Sequence, residues 1–249
     1  RAFSWNTWYL MNNFPFDHIV IDNFFPITKA KKLEKEFLDY NNPKWFSYDN
    51  PLENKKAINN WYDFPPDTYK TFCYLNSTKF MNTIREKTNI KKLYSDIGLH
   101  GGGWHIHSRG GKLNVHLDYS IHPKTGLQRK LNLIVYLTEN WKIEWGGGLE
   151  FWSHNSETNK PLKKEKTIDN VFNRAVLFDT TQNSWHGIPQ PINCPEGVYR
   201  KSLAVYYMTD PEEYMWDRKR ALYAPTKEQE ENQEVLNFIE QRVRLIDEK

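Results

Sequence analysis

Cysteine is nearly absent: Cys73 and Cys194 are the only two in 249 residues. That excludes a disulfide-stapled scaffold, and the pair shows no spacing logic, which points to a reducing cytoplasm. One Cys73–Cys194 disulfide is the alternative. Charge of one sign is equally scarce. A formal net charge of +3, from 34 basic and 31 acidic residues, is too small to argue for nucleic acid or an acidic membrane as partner. No apolar run approaches the length of a membrane span. Arg1-Ala2-Phe3-Ser4-Trp5 has no charged-then-apolar-then-small leader pattern. Repeats, low-complexity stretches and dividing linkers are missing as well, so residues 1–249 read as one domain. What is present suffices for a core, with 39% hydrophobic and 15% aromatic residues.

The pattern changes twice along the chain. Residues 28–40 predict a helix that Thr28 can cap, with Ala30, Leu33 and Phe37 on one stripe. A second helix is expected over 66–88, its buried face supplied by Tyr69, Phe72, Cys73, Phe80 and Ile84. From about 93 to 210 short strands alternate with Gly, Asn and Pro turns, the pattern of a β-sandwich or barrel. Helix is expected again over 212–247, with a capping box in Thr226-Lys227-Glu228-Gln229. Its stripe of Leu236, Ile239, Val243 and Ile246 suits packing on the sheet, with a homodimer seam as alternative. The expected fold is mainly β with flanking helices: a jelly roll.

His116, Asp118 and His186 are the candidate metal ligands. On a strand, residues i and i+2 project to one side, so His116-Leu117-Asp118 within residues 112–119 (KLNVHLDY) presents both groups together. With His186 they would make the two-histidine, one-carboxylate face of a non-haem Fe(II) centre, open on its far side. His-x-Asp alone is a weak signal, since a surface histidine and a turn aspartate give the same letters. Gly187, after His186, would let backbone crowd close to a ligand. Arg200 opens a further strand-like run, and its guanidinium can grip a carboxylate in bidentate fashion. Parity places Ser202, Ala204 and Tyr206 on the same face.

Five ordered segments carry a family resemblance: residues 16–25 (FDHIVIDNFF), 110–118 (GGKLNVHLD), 129–137 (RKLNLIVYL) with 145–151 (WGGGLEF), 173–179 (NRAVLFD), and Trp185-His186-Gly187 followed by Arg200-Lys201-Ser202. Over residues 14–210 the chain resembles the prolyl-4-hydroxylase-like branch of the Fe(II)- and 2-oxoglutarate-dependent oxygenases. The resemblance implies a double-stranded β-helix, Fe(II) as metal, and 2-oxoglutarate and O2 as co-substrates. The implied reaction hydroxylates an aliphatic C–H and releases succinate and CO2. Arg200 would hold the far carboxylate of 2-oxoglutarate, with Ser202 in support. Asn132 stands where the family has a threonine touching the co-substrate, Tyr136 shares its face, and His107 stands where those enzymes carry a tyrosine.

Other features stay open. His105-x-His107 would serve a cupin-type metal site, although Arg109 to Lys112 occupy the place of the glutamate a cupin needs. A catalytically silent jelly-roll binding module is the other alternative. His100, His122 and His154 are expected beside solvated turns, and Asp179 is expected to fix a turn. Trp104, Trp141, Trp145, Trp152 and Trp185 are expected mostly to pack, with one or two left to wall a substrate pocket. Residues 43–61 and 122–128 are lid candidates. The substrate, peptidyl proline or a small metabolite, is not legible.

Overall fold

The computed structural model describes residues 11–244. Its centre is two four-stranded antiparallel leaves. The first has the order β10 (Ala175–Asp179), β7 (Gln128–Tyr136), β12 (Arg200–Thr209), β5 (Gly103–His107). The second has the order β6 (Lys112–Leu117), β11 (Trp185–Ile188), β8 (Leu149–Asn155), β9 (Lys160–Ile168). A strand from the preceding segment, β3 (Glu53–Ile58), pairs with both β5 and β6 and joins the leaves into one continuous sheet. Strand β1 (His18–Ile21) extends the first leaf beside β10, and the short β4 (Tyr94–Ser95) pairs with the end of β12. This alternation of chain between leaves is the jelly roll expected, a double-stranded β-helix.

Two faces of the first leaf do different work. Leu131, Leu133 and Val135 of β7, with Leu203, Val205 and Tyr207 of β12, are buried against Ala30, Leu33, Phe72, Phe80 and Ile84 of the helices. Each such side chain stabilises the fold by about 1.5–3 kcal/mol on leaving water. The opposite face of the same strands, Asn132 and Ile134 with Arg200, Ser202, Ala204 and Tyr206, lines a cavity between the leaves. Strand parity thus divides core from site.

The helices differ from their sequence outline. α1 (Ile27–Lys35) begins after Pro26 with no side-chain cap, so Thr28 lies inside it, and it ends before Phe37, which stacks on Trp104 at 4.5 Å. The expected second helix is two: α2 (Pro66–Leu75) and α3 (Thr78–Thr88), separated where Ser77 Oγ accepts from Phe80 N and starts a new helix. On α2 Tyr69 and Cys73 face outward, and Thr68, Thr71 and Leu75 are buried beside Phe72. The C-terminal segment is not helical throughout 212–247. β13 (Leu222–Tyr223) pairs with β6, the Thr226–Gln229 capping box closes a single 3-10 turn, and α4 spans Gln233–Arg244. α4 turns Val235, Phe238 and Ile239 onto Leu52 and Tyr223, while Val243 is exposed. Ile246, the rest of the expected helix and Arg1 to Trp5 lie outside the described residues. Among the described residues no helix is long and apolar enough to cross a membrane. Cys73 and Cys194 are both free.

The join at β3 depends on Gly103. Its φ is +90°, and a Cβ there would lie 2.1 Å from Ile58 O and 2.9 Å from Asn59 Cα. Gly103→Ala is therefore expected to cost about 3 kcal/mol or more, combining left-handed strain with a backbone clash. Urea unfolding measures this, and an unchanged midpoint would show that β3 can move away freely.

Candidate active site

The β11–β6 pairing sets His186 directly opposite His116, with ring centroids 4.3 Å apart. Each imidazole places Nδ1 against the carbonyl two residues before it: His116 on Asn114 O at 2.9 Å, His186 on Ser184 O at 2.8 Å. A carbonyl only accepts, so both Nδ1 atoms carry the hydrogen and both Nε2 lone pairs are free for a metal. Asp118 follows the end of β6, with Oδ1 3.8 Å from His116 Nε2 and Oδ2 3.9 Å from His186 Nε2. The three ligand atoms lie within 4.8 Å of one another, and all three residues are buried.

The oxygens of Asp118 are unequal. Oδ1 accepts from Tyr206 Oη at 3.3 Å and faces Arg129 Nη1 at 3.4 Å, whereas Oδ2 is buried with no hydrogen-bond donor. Burial would push the Asp118 carboxyl up, but Arg129, the two imidazoles and the Tyr206 hydroxyl outweigh it and hold the pKa below the usual carboxylate value. Burial lowers His116 to about 3 and lowers His186 as well. Neutral imidazoles and an ionised carboxylate are the species that bind a divalent metal. An orphaned oxygen and two free Nε2 atoms converging here fit Fe(II).

Arg200 lies on the same cavity wall. It is 2% exposed, its Nε donates to Gly147 O at 2.7 Å, and Nη1 sits 3.5 Å from Ser202 Oγ. Among the described residues no carboxylate pairs with it. Both ring nitrogens of His107 and Oδ1 of Asn132 are buried without partners in the same cavity. Tyr136 lies beneath, its ring centroid 5.0 Å from the Arg200 guanidinium. A buried cation ringed by unsatisfied polar atoms is suited to an acidic oxo compound.

Arg129 is the site residue that sequence parity misses. Leu131 and Leu133 face the core, so Arg129 should too. A β-bulge intervenes: Tyr207 pairs with Leu131 but Met208 with Arg129, leaving Lys130 as the extra residue. The bulge turns Arg129 into the cavity, where its guanidinium lies between the rings of Tyr119 and Tyr206 at 3.4 and 3.5 Å.

Several sequence expectations are corrected. Gly187 makes room for backbone, not for a ligand, because a Cβ there would lie 2.8 Å from both Leu113 O and Asn114 O. His122 is buried, 3.5 Å from Asp96, and its Nδ1 accepts from the Lys124 and Thr125 amides. His100 and His154 are half-buried, and His154 accepts from Trp185 Nε1. Asp179 holds its turn as expected, through Thr181 N and Oγ1. None of the five tryptophans lines the cavity. Its aromatic wall is Phe46, Tyr48, Tyr119, Tyr206 and Tyr223. Of the two lid candidates, residues 43–61 form the hairpin of β2 (Phe46–Asn50) and β3 and line the cavity, whereas residues 122–128 do not reach it. His105 also lines the cavity but is not in the cluster of ligand atoms.

Residues 102–208 match the family model of the 2OG-Fe(II) oxygenase superfamily. Solved structures similar to this chain include a Pseudomonas putida prolyl-4-hydroxylase, 13% identical with a TM-score of 0.55, covering 78% of this chain and 92% of that one. Another is a Trichoplax adhaerens prolyl hydroxylase in complex with a hypoxia inducible factor oxygen degradation domain peptide fragment, 16% identical with a TM-score of 0.54, covering 77% and 83%. A third is a Phytophthora capsici prolyl 4-hydroxylase, 18% identical with a TM-score of 0.52, covering 92% and 68%. At these identities the likeness shows the fold. No curated protein matches the sequence.

Proposed function

Residues 102–208 of this chain belong to the 2OG-Fe(II) oxygenase superfamily, and we propose that His116, Asp118 and His186 are its iron ligands and Arg200 its anchor for 2-oxoglutarate. The chain is an Fe(II)- and 2-oxoglutarate-dependent dioxygenase of the hydroxylase type. Iron with bound 2-oxoglutarate supplies the activation of dioxygen: one oxygen atom converts 2-oxoglutarate to succinate and CO2, and the other enters a substrate C–H bond. The protein's part is placement. Arg129 and Tyr206 occupy Oδ1 of Asp118 and leave Oδ2 for the metal. Arg200 takes the distal carboxylate of 2-oxoglutarate, helped by Ser202. His107 and Asn132 complete the co-substrate wall, with Tyr136 beneath Arg200, and the ring N–H of His107 gains in 2-oxoglutarate the acceptor it otherwise lacks.

The observation that carries this reading is the convergence, in one cavity, of three metal-facing ligand atoms and a buried arginine without a carboxylate. A silent binding module has no need of either. We assign residues 1–249 to a single oxygenase domain with its jelly-roll core at about 93–210. We also place it in the cytoplasm, a reading supported by two free thiols, one of them exposed. The cavity, about 660 Å³, is of a size that encloses a small molecule, which favours a metabolite over a peptide as substrate. α4 spends its apolar face on Tyr223 and Leu52, which supports a role in closing the cavity over a dimer seam.

Anaerobic addition of Fe(II) and 2-oxoglutarate is expected to produce a visible metal-to-ligand charge-transfer band that requires both. Arg200→Ala should weaken it at equal 2-oxoglutarate. A folded, metal-loaded protein without the band would move the assignment to a cupin-type centre, in which His105→Ala is severe and Arg200→Ala indifferent.

A further inference from the structure

The charge of the cavity is lopsided in a way that iron and 2-oxoglutarate do not answer. Six cationic side chains line it, Lys55, Arg129, Arg200, Lys219, Arg220 and Arg242, against two carboxylates, Glu53 and Asp118. Fe(II) adds two positive charges and 2-oxoglutarate two negative ones, so the loaded centre leaves the surplus standing. Three cations have partners: Arg129 faces Asp118, Arg200 is assigned to 2-oxoglutarate, and Lys219 pairs with Asp217. Lys55, Arg220 and Arg242 remain, with Glu53 alone to balance them.

Glu53, Lys55 and Arg242 sit together, Arg220 lines the same cavity, and Lys55 on β3 is separated from Arg200 on β12 by the intervening strand β5. Glu53 is 2% exposed and is shared, with Lys55 Nζ 3.3 Å from one oxygen and Arg242 Nη1 3.4 Å from the other. Lys55 lies 5.1 Å from the centroid of Tyr48, and Arg242 lies 5.0 Å from that of Tyr223, whose ring in turn stacks on His116. The subsite is therefore continuous with the metal centre through one tyrosine. Arg220 is exposed and forms no ion pair with any described residue. A carboxylate shared by two cations in a partly dry wall leaves each underneutralised, which favours a second anion.

We infer that Lys55, Arg220 and Arg242 form an anion subsite, and that the substrate is a small molecule bearing a phosphate or carboxylate group. The inference rests on the iron and 2-oxoglutarate reading given above, and it narrows the substrate class. An uncharged ring or aliphatic chain would leave the surplus unanswered. Gripped at this rim, the anionic end would hold the rest of the molecule along Tyr223 toward the metal.

The test uses the full chain loaded with Ni(II) and saturating 2-oxoglutarate, so that Arg200 is occupied. Phenyl phosphate, benzoate and benzyl alcohol are titrated by calorimetry. One of the two anions is expected to bind at least about tenfold tighter than the alcohol, the scale of one charge-assisted hydrogen bond. Which anion wins identifies the group. Arg220→Ala, at an exposed position that threatens no fold, should weaken it by about tenfold, and Lys55→Ala or Arg242→Ala by at least as much. Glu53→Gln should tighten it, because it releases both cations. Equal binding of all three probes, or anion binding indifferent to these variants, overturns the subsite. So does a rise confined to the KM for 2-oxoglutarate, which would make the rim a steering field for the co-substrate. The charge-transfer band, followed in parallel, keeps the two readings apart. A band with no anion binding sinks only the subsite, and absence of the band sinks the centre.

Discussion

Asp118→Asn is expected to lower Fe(II) affinity by more than about 100-fold and to abolish 2-oxoglutarate turnover while the protein stays folded. Removing an outer partner of a metal ligand already costs about 10–100-fold, so loss of the anionic ligand itself exceeds that range. The geometry makes the asparagine worse than neutral. Tyr206 Oη and Arg129 Nη1 both offer hydrogens to the Oδ1 position, so the amide oxygen settles there. The amide NH2 then occupies the Oδ2 position and points hydrogens at the metal. Asp118→Ala should show a second effect. It strips Arg129 of its carboxylate while Tyr119 and Tyr206 hold the guanidinium in place, and an unpaired buried charge costs about 3–5 kcal/mol. The two variants thus separate ligand loss from folding. Anaerobic Fe(II) titration and succinate release are the measurements. Undiminished succinate formation by Asp118→Asn would remove Asp118 from the centre.

What the sequence made legible follows from how local the cause is. His116 and Asp118 were readable because a strand's period of two is enforced by the backbone itself, and Arg200 to Tyr206 on β12 for the same reason. Arg129 was not, because the bulge at Lys130 is a property of the β7–β12 pairing and leaves no mark in one strand's letters. The β2–β3 hairpin looked like a loop: FSYDN and ENKKAI carry little apolar signal because one face lines a polar cavity. The break between α2 and α3 was visible in principle, since Ser77 is a good capping residue, but the apolar stripe runs across it. On α4 Ile239 packs inward as expected, but Val235 and Phe238 join it where Leu236 and Val243 were expected. Several of its positions are apolar, and only Tyr223 and Leu52 decide which turn inward. The burial of His122 depends on Asp96, 26 residues earlier in the sequence, and no local pattern reports it.

The cluster that prepares the centre for metal should also make the metal-free protein unusually sensitive to acid. His107, His116 and His186 are all nearly inaccessible, and burial is the first cause of a lowered pKa in each. His105 is lowered to about 3, again by burial first and then by Lys55 and Arg200. Above pH 6.5 these rings are neutral in folded and unfolded chains alike, and stability does not depend on them. Below it the unfolded chain takes up protons that the folded chain refuses. Their contribution is therefore full above pH 6.5 and is lost as pH falls, continuing toward the folded value near 3 for His116. His116, with its folded value near 3, removes about 1 kcal/mol per pH unit below 6.5, and His107 and His186 act in the same direction. A loss of this kind counts against the roughly 5–15 kcal/mol that holds a domain folded. Urea unfolding of metal-free protein at pH 7 and pH 5 should show this drop, and His107→Phe should make it shallower. Because His116 is already neutral in the fold at pH 5 and burial lowers His186 in the same direction, Ni(II) has few protons to displace. It should raise the midpoint by a similar amount at both pH values, through binding to the native state alone. Equal metal-free stability at the two pH values would mean that the rings take up protons within the fold, and the centre would then lose its preformed neutral ligands.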